Sequence, residues 1–162
     1  MLELSRKVRQ SRFLAETNVD TVRTLTDQWK RLKPHLERHG RDITSFPLIA
    51  STRMWVSDDP ERDWETILAP VLAYQAQVYA RMGTDAGQPQ PPKIDPQTLP
   101  RTGLLIDTPE NVVKMIREMQ TSAPLMEICF WSHLPGVSHE VVMAHLERVS
   151  MQVFPKFSAK EA

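Results

Sequence analysis

Several residue types and patterns that define whole protein classes are scarce or missing in this chain of 162 residues. A single cysteine, Cys129, excludes an intrachain disulfide framework and any pair of cysteines at metal-binding spacing. The 20 Lys and Arg residues balance the 20 Asp and Glu residues, so the excess of positive charge typical of nucleic-acid binders is absent. No apolar run approaches the roughly 18 residues of a membrane span, and residues 1–12 lack the apolar stretch of a signal peptide. We therefore expect a cytoplasmic protein that binds neither nucleic acid nor membrane.

The composition is otherwise that of a folded domain. Apolar residues make up 41% of the chain and charged residues 25%, which suffices for one hydrophobic core. The length predicts a single domain over residues 1–162. Residues 1–16 are basic and show no clean period, so no element is predicted there.

Strand-like stretches alternate with helical patterns along the rest of the chain. The predicted strands lie within residues 45–60, at 103–106 and at 125–131. Two helices begin where Pro60 and Pro109 follow Asp or Thr, an arrangement that favours a helix start, and a third follows Gly136. Three strand–helix units in sequence predict an α/β fold with a parallel sheet.

A helix precedes the first of these strands. Its apolar residues recur at spacings of three and four and end at Gly40, a residue that favours a helix C-terminus; they are Val22, Leu25, Trp29, Leu32 and Leu36. His35 and His39 lie one turn apart near that end. They fit either a metal pair or two cations at the negative end of the helix, and the second interpretation is favoured because no third ligand is evident.

Prolines mark two further features. Pro70 lies inside the helix that follows Pro60 and predicts a kink near residues 67–69. The buried residues predicted for that helix are Trp64, Ile67, Leu68, Val71, Leu72, Val78 and Tyr79. Residues 83–100 contain five prolines and no periodicity, which predicts a long loop of the kind that often serves as a lid or a binding loop.

The two longer strands each carry one apolar face and one mixed face. The apolar faces are Leu48, Ala50, Thr52, Met54 and Val56 in the first strand and Met126, Ile128 and Phe130 in the last. The mixed faces are Ile49, Ser51, Arg53 and Trp55, and Glu127, Cys129, Trp131 and His133. In a (β/α) barrel the active site lies at the carboxyl ends of the strands, which points to Arg53, Trp55, Trp131 and His133 as candidates.

Each candidate also has a structural interpretation. Arg53 fits a structural salt bridge within the sheet as well as it fits a functional cation. For His133 a structural and a functional role are equally compatible with the sequence. Trp131 fits core packing better than a stacking platform, and Cys129 is expected to be a small buried apolar residue. Helix surface or packing is the interpretation for the remaining two histidines, His139 and His145.

Three pieces of this sequence, in order, resemble the C-terminal part of the bacterial luciferase-like, flavin-dependent monooxygenases. The pieces are residues 56–59 between a strand and a helix, residues 107–112 at a helix start, and residues 131–136 with the tail at 153–155. The resemblance covers about residues 22–157. Members of that family have a TIM-barrel fold and oxidise small organic molecules with O₂ and a reduced flavin.

The resemblance implies a partial TIM barrel of about three parallel βα units. It also implies reduced FMN or a deazaflavin as cofactor, a small-molecule substrate and a separate flavin reductase as partner. By position, Arg53 and His133 would be catalytic, Ser51 and Trp131 would bind the flavin, no metal would be needed, and residues 83–100 would shield the substrate. The sequence departs from the family at Asp107, where a glycine is usual, and at Ser51 and Arg53, where the family carries an arginine and a histidine.

A whole (β/α)₈ barrel needs about 200–250 residues, so the chain is expected to correspond to the last 160 or so of a family member. A part of a barrel leaves open sheet edges, which implies a homo-oligomer or a partner subunit. The alternative function is a non-catalytic remnant or binding subunit that pairs with a full-length relative. A helical interaction module would also explain the first helix, but the strand pattern disfavours it.

Overall fold

Four strands and five α-helices alternate along the chain in this computed structural model, which describes residues 13–16, 21–44, 46, 48–85, 87, 89, 92–101 and 104–157. The strands are β1 (Phe13–Glu16), β2 (Leu48–Val56), β3 (Leu104–Asp107) and β4 (Leu125–Trp131). The helices are α1 (Thr21–Arg38), α2 (Pro60–Asp63), α3 (Ala69–Asp85), α4 (Pro109–Ser122) and α5 (His139–Arg148). The α/β prediction is confirmed. Strand β1 lies in the segment for which no element was predicted, and the rest of that segment, residues 1–12, falls outside the described residues.

All strand pairs are parallel, and β2 lies at the centre of the sheet. Ser51 of β2 pairs with Glu16 of β1 and with Cys129 of β4, while Arg53 pairs with Leu104 of β3 and with Trp131 of β4. Because a strand residue has one partner on each side, β1 and β3 share one edge of β2, and β4 occupies the other. The sheet formed by the described strands is therefore three strands wide, and β4 lies beside β2 instead of following β3.

The helix ends form where the sequence predicted them. Gly40 has φ of +63°, and the Gly40 and Arg41 N–H groups donate to the carbonyls of Glu37 and Leu36 at 3.0 and 2.9 Å, which closes α1 with a Schellman motif. Asp59 accepts from the Arg62 N–H at 3.1 Å and caps α2. At the start of α4, Thr108 caps the helix in the same way.

The helix has a π-helical turn directly before Pro70, where a kink was predicted. Residues Trp64–Leu68 connect α2 to α3 with the wider π spacing, and the Ala69 N–H donates to the Trp64 carbonyl five residues back. A second π-helical turn, Val149–Val153, follows α5. There the Phe154 N–H donates to the Val149 carbonyl immediately before Pro155. In both places the turn widens directly before a proline, whose ring and missing N–H disrupt regular α-helical bonding.

The core is built on the predicted apolar face of the sheet. Met54 and Val56 pack with α4 and with the π turn after α5, and Leu48 and Ala50 pack with Leu25 of α1. On the opposite face a second cluster joins Trp55 to the helix that begins at Pro60; its buried members include Trp64, Leu68, Ala69, Leu134, Val137 and Val142. Of the residues predicted to be buried in this helix, Trp64 and Leu68 are buried, and three more are half-buried against the cluster, namely Ile67, Val71 and Leu72. Val78 is half-buried and Tyr79 is exposed, and both lie beyond the part of α3 that this cluster covers.

The proline-rich loop is shorter than predicted. Helix α3 continues through Gly83 to Asp85, and the described part of the segment that follows contains a 3₁₀ turn at Pro96–Thr98. Among the described residues, no helix is both long enough and apolar enough to cross a bilayer.

Candidate functional site

Three of the four predicted site residues lie together on the mixed face of the sheet. The register places Ser51 beside Cys129 and Arg53 beside Trp131, on neighbouring strands β2 and β4. Residues directly paired in a sheet point to the same face, so these four side chains form one group. Ser51 and Arg53 are half-buried, whereas Cys129 and Trp131 are exposed. This face is therefore open to solvent in its middle and covered at the Trp55 end.

Arg53 is the cation of this group. None of the described acidic residues forms an ion pair with it, so the structural salt bridge considered from the sequence is not found in the described part of the chain. Its side chain lines a cleft of about 220 Å³ whose other walls come from α3 and the proline-rich segment. The lining residues are Trp64, Leu72, Gln75, Ala76, Tyr79, Leu99 and Pro100. A half-buried guanidinium beside apolar and aromatic walls is suited to an anionic group on an otherwise apolar molecule.

Two interpretations based on burial were wrong. Trp131 is 68% exposed instead of packed in the core, and Cys129 is exposed instead of buried. Both side chains belong to the face of β4 that no described helix covers. Cys129 Sγ lies 3.8 Å from Glu127 Oε1 on the same strand. The indole of Trp131 is thus available as a flat surface next to Arg53.

His133 does not join this group. It follows β4 in a loop whose conformation is fixed by two buried residues, Leu134 and Val137, and by the turn in which the Val137 N–H donates to the Leu134 carbonyl at 3.2 Å. Gly136 in that turn has φ of +89°, a region that favours glycine. The His133 side chain is exposed, and within the described part of the chain it makes no hydrogen bond or ion pair with Arg53 or Trp131.

The proline-rich segment is fastened to the helices that line the cleft. The Ile94 N–H donates to Gln77 Oε1 on α3 at 3.1 Å. Arg101 forms a bidentate ion pair with Glu61 of α2, and its guanidinium carbon lies 5.3 Å from the centroid of the Trp64 ring. The hydrogen bond from Arg101 lowers the pKa of Glu61. Leu99 and Pro100 are thereby held as one wall of the Arg53 cleft.

A buried polar network at the end of β2 was not predicted from the sequence. Asp63 Oδ2 accepts from Trp55 Nε1 at 3.1 Å and from the Ser57 hydroxyl at 2.6 Å, and Asp63 Oδ1 accepts from Arg62 at 3.2 Å. Burial alone would raise the pKa of Asp63, but the hydrogen bonds from Ser57, Trp55 and Arg62 together place it below its usual value. The network holds the start of α2 against β2. In the sequence, only the position of Asp63, four residues after the helix cap Asp59, indicated such a contact.

His145 is fully buried against the same strand end. Its Nδ1 accepts from the Val56 N–H at 3.0 Å, so the proton of the neutral ring is on Nε2. Burial lowers the pKa of His145 to about 4. The sequence does carry a signal for the burial of His145. This residue recurs at helical spacing with three apolar residues, Val142, Val149 and Val153.

No group of three or more potential metal ligands occurs among the described residues, and His35 and His39 are both exposed. The His35–His39 pair therefore does not gain a third ligand from the described part of the fold. His39 lies in the Schellman turn, where its N–H donates to the His35 and Leu36 carbonyls at 3.2 and 3.1 Å.

The chain is similar to a solved structure of a longer protein. No protein-family model and no curated protein matches the chain. The structure is the oxygenating constituent of 3,6-diketocamphane monooxygenase from the CAM plasmid of Pseudomonas putida, a type II Baeyer–Villiger monooxygenase in complex with FMN. It is 16% identical over 90% of this chain, with a TM-score of 0.47. The chain spans 42% of the length of that protein, and the similarity is one of backbone arrangement.

Proposed function

We propose that the chain is the C-terminal portion of a luciferase-like flavin-dependent monooxygenase, which oxidises a small organic substrate with O₂ and a flavin reduced by a separate reductase. The observation that carries this proposal is the pairing of Arg53 with Trp131 on the uncovered face of a parallel sheet. These two side chains supply a fixed positive charge and an aromatic surface side by side, beside a cleft of about 220 Å³.

The residues present fit the ring end of FMN or of a deazaflavin. The exposed indole of Trp131 can stack on a planar tricyclic ring, and the Ser51 hydroxyl lies one pair away in the register. When bound, the reduced flavin supplies the electrons that activate O₂. The role of Arg53 is to hold an anionic group of the substrate or of the flavin in place, because a guanidinium is a cation whose planar set of donors matches anionic oxygens.

The phosphate end of FMN has a candidate position at the start of α5. Asp59 and Thr108 accept hydrogen bonds from N–H groups of their own helices, at the starts of α2 and α4. Ser138, at the start of α5, makes no such side-chain bond. The N-terminus of a helix favours a bound phosphate, and this helix of ten residues, without a side-chain bond from its cap residue, follows β4 after the His133 loop.

His133 and the proline-rich segment have supporting roles in the proposal. His133 lies in an exposed loop, where the two nitrogens of its ring can donate or accept a proton during turnover. The segment held by Gln77 and Arg101 would shield the cleft from water once a substrate is bound. The cleft walls are mainly apolar, so the substrate class is a small apolar molecule with one anionic or polar group.

Flavin titration of the purified chain tests the proposal. Saturable quenching of flavin fluorescence at micromolar FMN is expected, with at least a tenfold loss of affinity in Arg53→Ala and in Trp131→Ala. Arg53→Lys should retain more affinity than Arg53→Ala, because it keeps the charge. Arg117→Ala and Tyr74→Ala remove an exposed cation and an exposed aromatic side chain from α4 and α3, and they should leave the affinity unchanged.

Comparison of FMN with riboflavin tests the phosphate position separately. Ser138→Asp adds a negative charge at the start of α5 and should weaken FMN binding while leaving riboflavin binding unchanged. Ser150→Asp adds the same charge in the exposed π turn at the far end of the helix and should affect neither ligand. Absence of saturable quenching up to about millimolar FMN would contradict the proposal for this chain.

A further inference from the structure

Two clefts follow each other along α3, and the proline-rich segment forms a wall of each. The Arg53 cleft, of about 220 Å³, lies along the middle of the helix, from Leu72 to Tyr79. A second cleft, of about 510 Å³, lies at the helix start beside Ala69; its other described walls are Trp64, Glu65, Pro96, Gln97 and Arg101. We call it the Arg101 cleft. Trp64 is the one described residue that lines both clefts, so its side chain lies where they meet.

The indole of Trp64 is held on several sides. It is 8% exposed and packs in the apolar cluster that includes Leu68 and Ala69. The Arg101 guanidinium lies over the ring, 5.3 Å from its centroid, and is itself paired with Glu61. Trp64 also begins the π-helical turn before α3, where its carbonyl accepts from the Ala69 N–H. The ring is therefore a fixed wall between the two clefts.

The volumes of the two clefts fit ligands of different size. Pockets for drug-sized ligands typically measure about 300–1,000 Å³. The Arg53 cleft, at about 220 Å³, is smaller than this range, whereas the Arg101 cleft, at about 510 Å³, falls within it. A ligand whose anionic group is held by Arg53 therefore has room for only a short apolar part before the cleft ends.

We propose that Trp64 is a specificity-determining residue, which limits the length of the substrate by closing the Arg53 cleft off from the Arg101 cleft. The inference rests on the proposed function in one respect, namely that the Arg53 cleft holds the substrate. A smaller side chain at position 64 joins the two clefts. The ligands accepted then extend from short chains to long chains that carry the same anionic end.

The other bulky residues of the Arg53 cleft do not separate the two clefts. Tyr79 is 58% exposed, and Leu99 and Pro100 lie on the proline-rich segment. None of these three lines the Arg101 cleft. Shortening any of them would enlarge the Arg53 cleft without joining it to its neighbour. A change in the accepted chain length is therefore expected from Trp64 in particular.

Binding of straight-chain carboxylates, from butanoate to dodecanoate, tests the inference. Isothermal titration calorimetry of the full chain without flavin measures each affinity. In the wild type the affinity should rise about fourfold with each added methylene and stop rising at a limiting chain length. In Trp64→Leu the rise should continue for at least two more methylenes, so the longest carboxylates gain at least tenfold over the wild type. Trp64→Phe should have an intermediate limit, and Arg53→Ala should weaken binding at every length.

Two further variants separate ligand length from packing. Leu68→Val removes a methylene from the same apolar cluster at a fully buried residue that lines neither cleft, and it should keep the wild-type limit. Gln97→Trp, added to Trp64→Leu, fills the Arg101 cleft again and should bring the limit back towards that of the wild type. Circular dichroism checks that each variant folds, and Trp64→Phe makes the smaller change to the cluster.

Three results would overturn the inference. They are an unchanged limit in the Trp64 variants, a wild-type affinity that rises through dodecanoate without a limit, and no binding of any carboxylate. Flavin titration is a separate measurement on the same proteins. A normal carboxylate series together with absent flavin binding would remove the proposed function and leave the length limit at Trp64 in place.

Discussion

The ring of His145 lies parallel to the indole of Trp55, with centroids 4.5 Å apart and planes inclined by 10°. The same imidazole contacts Phe130 edge to face, with ring centroids 6.5 Å apart. Its Nε2 is buried and has no hydrogen-bond partner among the described residues. The contact joins α5 to the end of β2 through stacking and one hydrogen bond to the Val56 N–H, which requires the neutral ring.

The stability of the protein should therefore depend on pH through His145. Its pKa in the folded state is about 4, below the ordinary value of 6.5, so the unfolded chain binds a proton that the folded chain does not between these values. The free energy of unfolding should fall as the pH is lowered from 6.5 to 4, by up to about 1.4 kcal/mol per pH unit. Urea unfolding at a series of pH values measures this slope.

His145→Gln should reduce the pH dependence over that interval, because an amide does not titrate. Its carbonyl can still accept from the Val56 N–H, so a folded variant is expected at neutral pH, with a loss of about 1 kcal/mol from the missing stacking contact. His139→Gln removes an exposed histidine at the start of the same helix and should keep the wild-type slope. An equal slope in the His145→Gln variant would show that another group titrates.

Removing the charge of Asp63 should destabilise the junction between β2 and α2. Asp63→Asn keeps the shape but weakens the acceptor shared by Trp55 and Ser57, and a loss of about 1–3 kcal/mol in the free energy of unfolding is expected. Asp58→Asn breaks an ion pair with Arg148 in which Asp58 is largely exposed, and it should cost less than about 1 kcal/mol. Equal losses in the two variants would contradict a special role for the buried carboxylate.

Much of the fold follows from local sequence signals. The proline-led helix starts, the Gly40 terminus and the strand–helix alternation depend on neighbouring residues, and these predictions were confirmed. The placement of β4 beside β2 depends on contacts between residues 77 or 78 positions apart, and no local pattern encodes it. Strand β1 is four residues long, which is too short to show a period.

In the candidate site, too, local sequence patterns predicted some features, and others depend on contacts between distant residues. Strand alternation correctly placed Ser51, Arg53 and Trp131 on one face, because alternation is a local property. The exposure of Trp131 and Cys129 could not be read from it, since exposure depends on whether another element covers that face. The Asp63 and His145 contacts join residues from different elements, so their polar side chains resembled ordinary helix positions in the sequence.

The positive φ of Gly40 gives a prediction about α1. Gly40→Ala should lower the free energy of unfolding by about 1 kcal/mol, because an alanine at φ of +63° is strained and nothing lies near enough to compensate. Gly40→Asn should cost less, since asparagine tolerates this region better. Thermal unfolding of the wild type and the two variants measures their order of stability. An alanine variant as stable as the wild type would contradict the prediction.

The fastening of the proline-rich segment gives the last prediction. Arg101→Ala removes the ion pair with Glu61 and the contact with Trp64, and Gln77→Ala removes the acceptor of the Ile94 N–H. The double variant should be cleaved several times faster within residues 92–101 by a protease that cuts beside Ile94 or Leu99, because cleavage needs a detached segment. Its free energy of unfolding should change little, since the Arg101–Glu61 ion pair is exposed. Arg117→Ala is the matched control on α4 and should be cleaved at the wild-type rate. Unchanged cleavage of the double variant would show that Leu99 and Pro100 are held in the cleft wall by packing instead of by these two polar contacts.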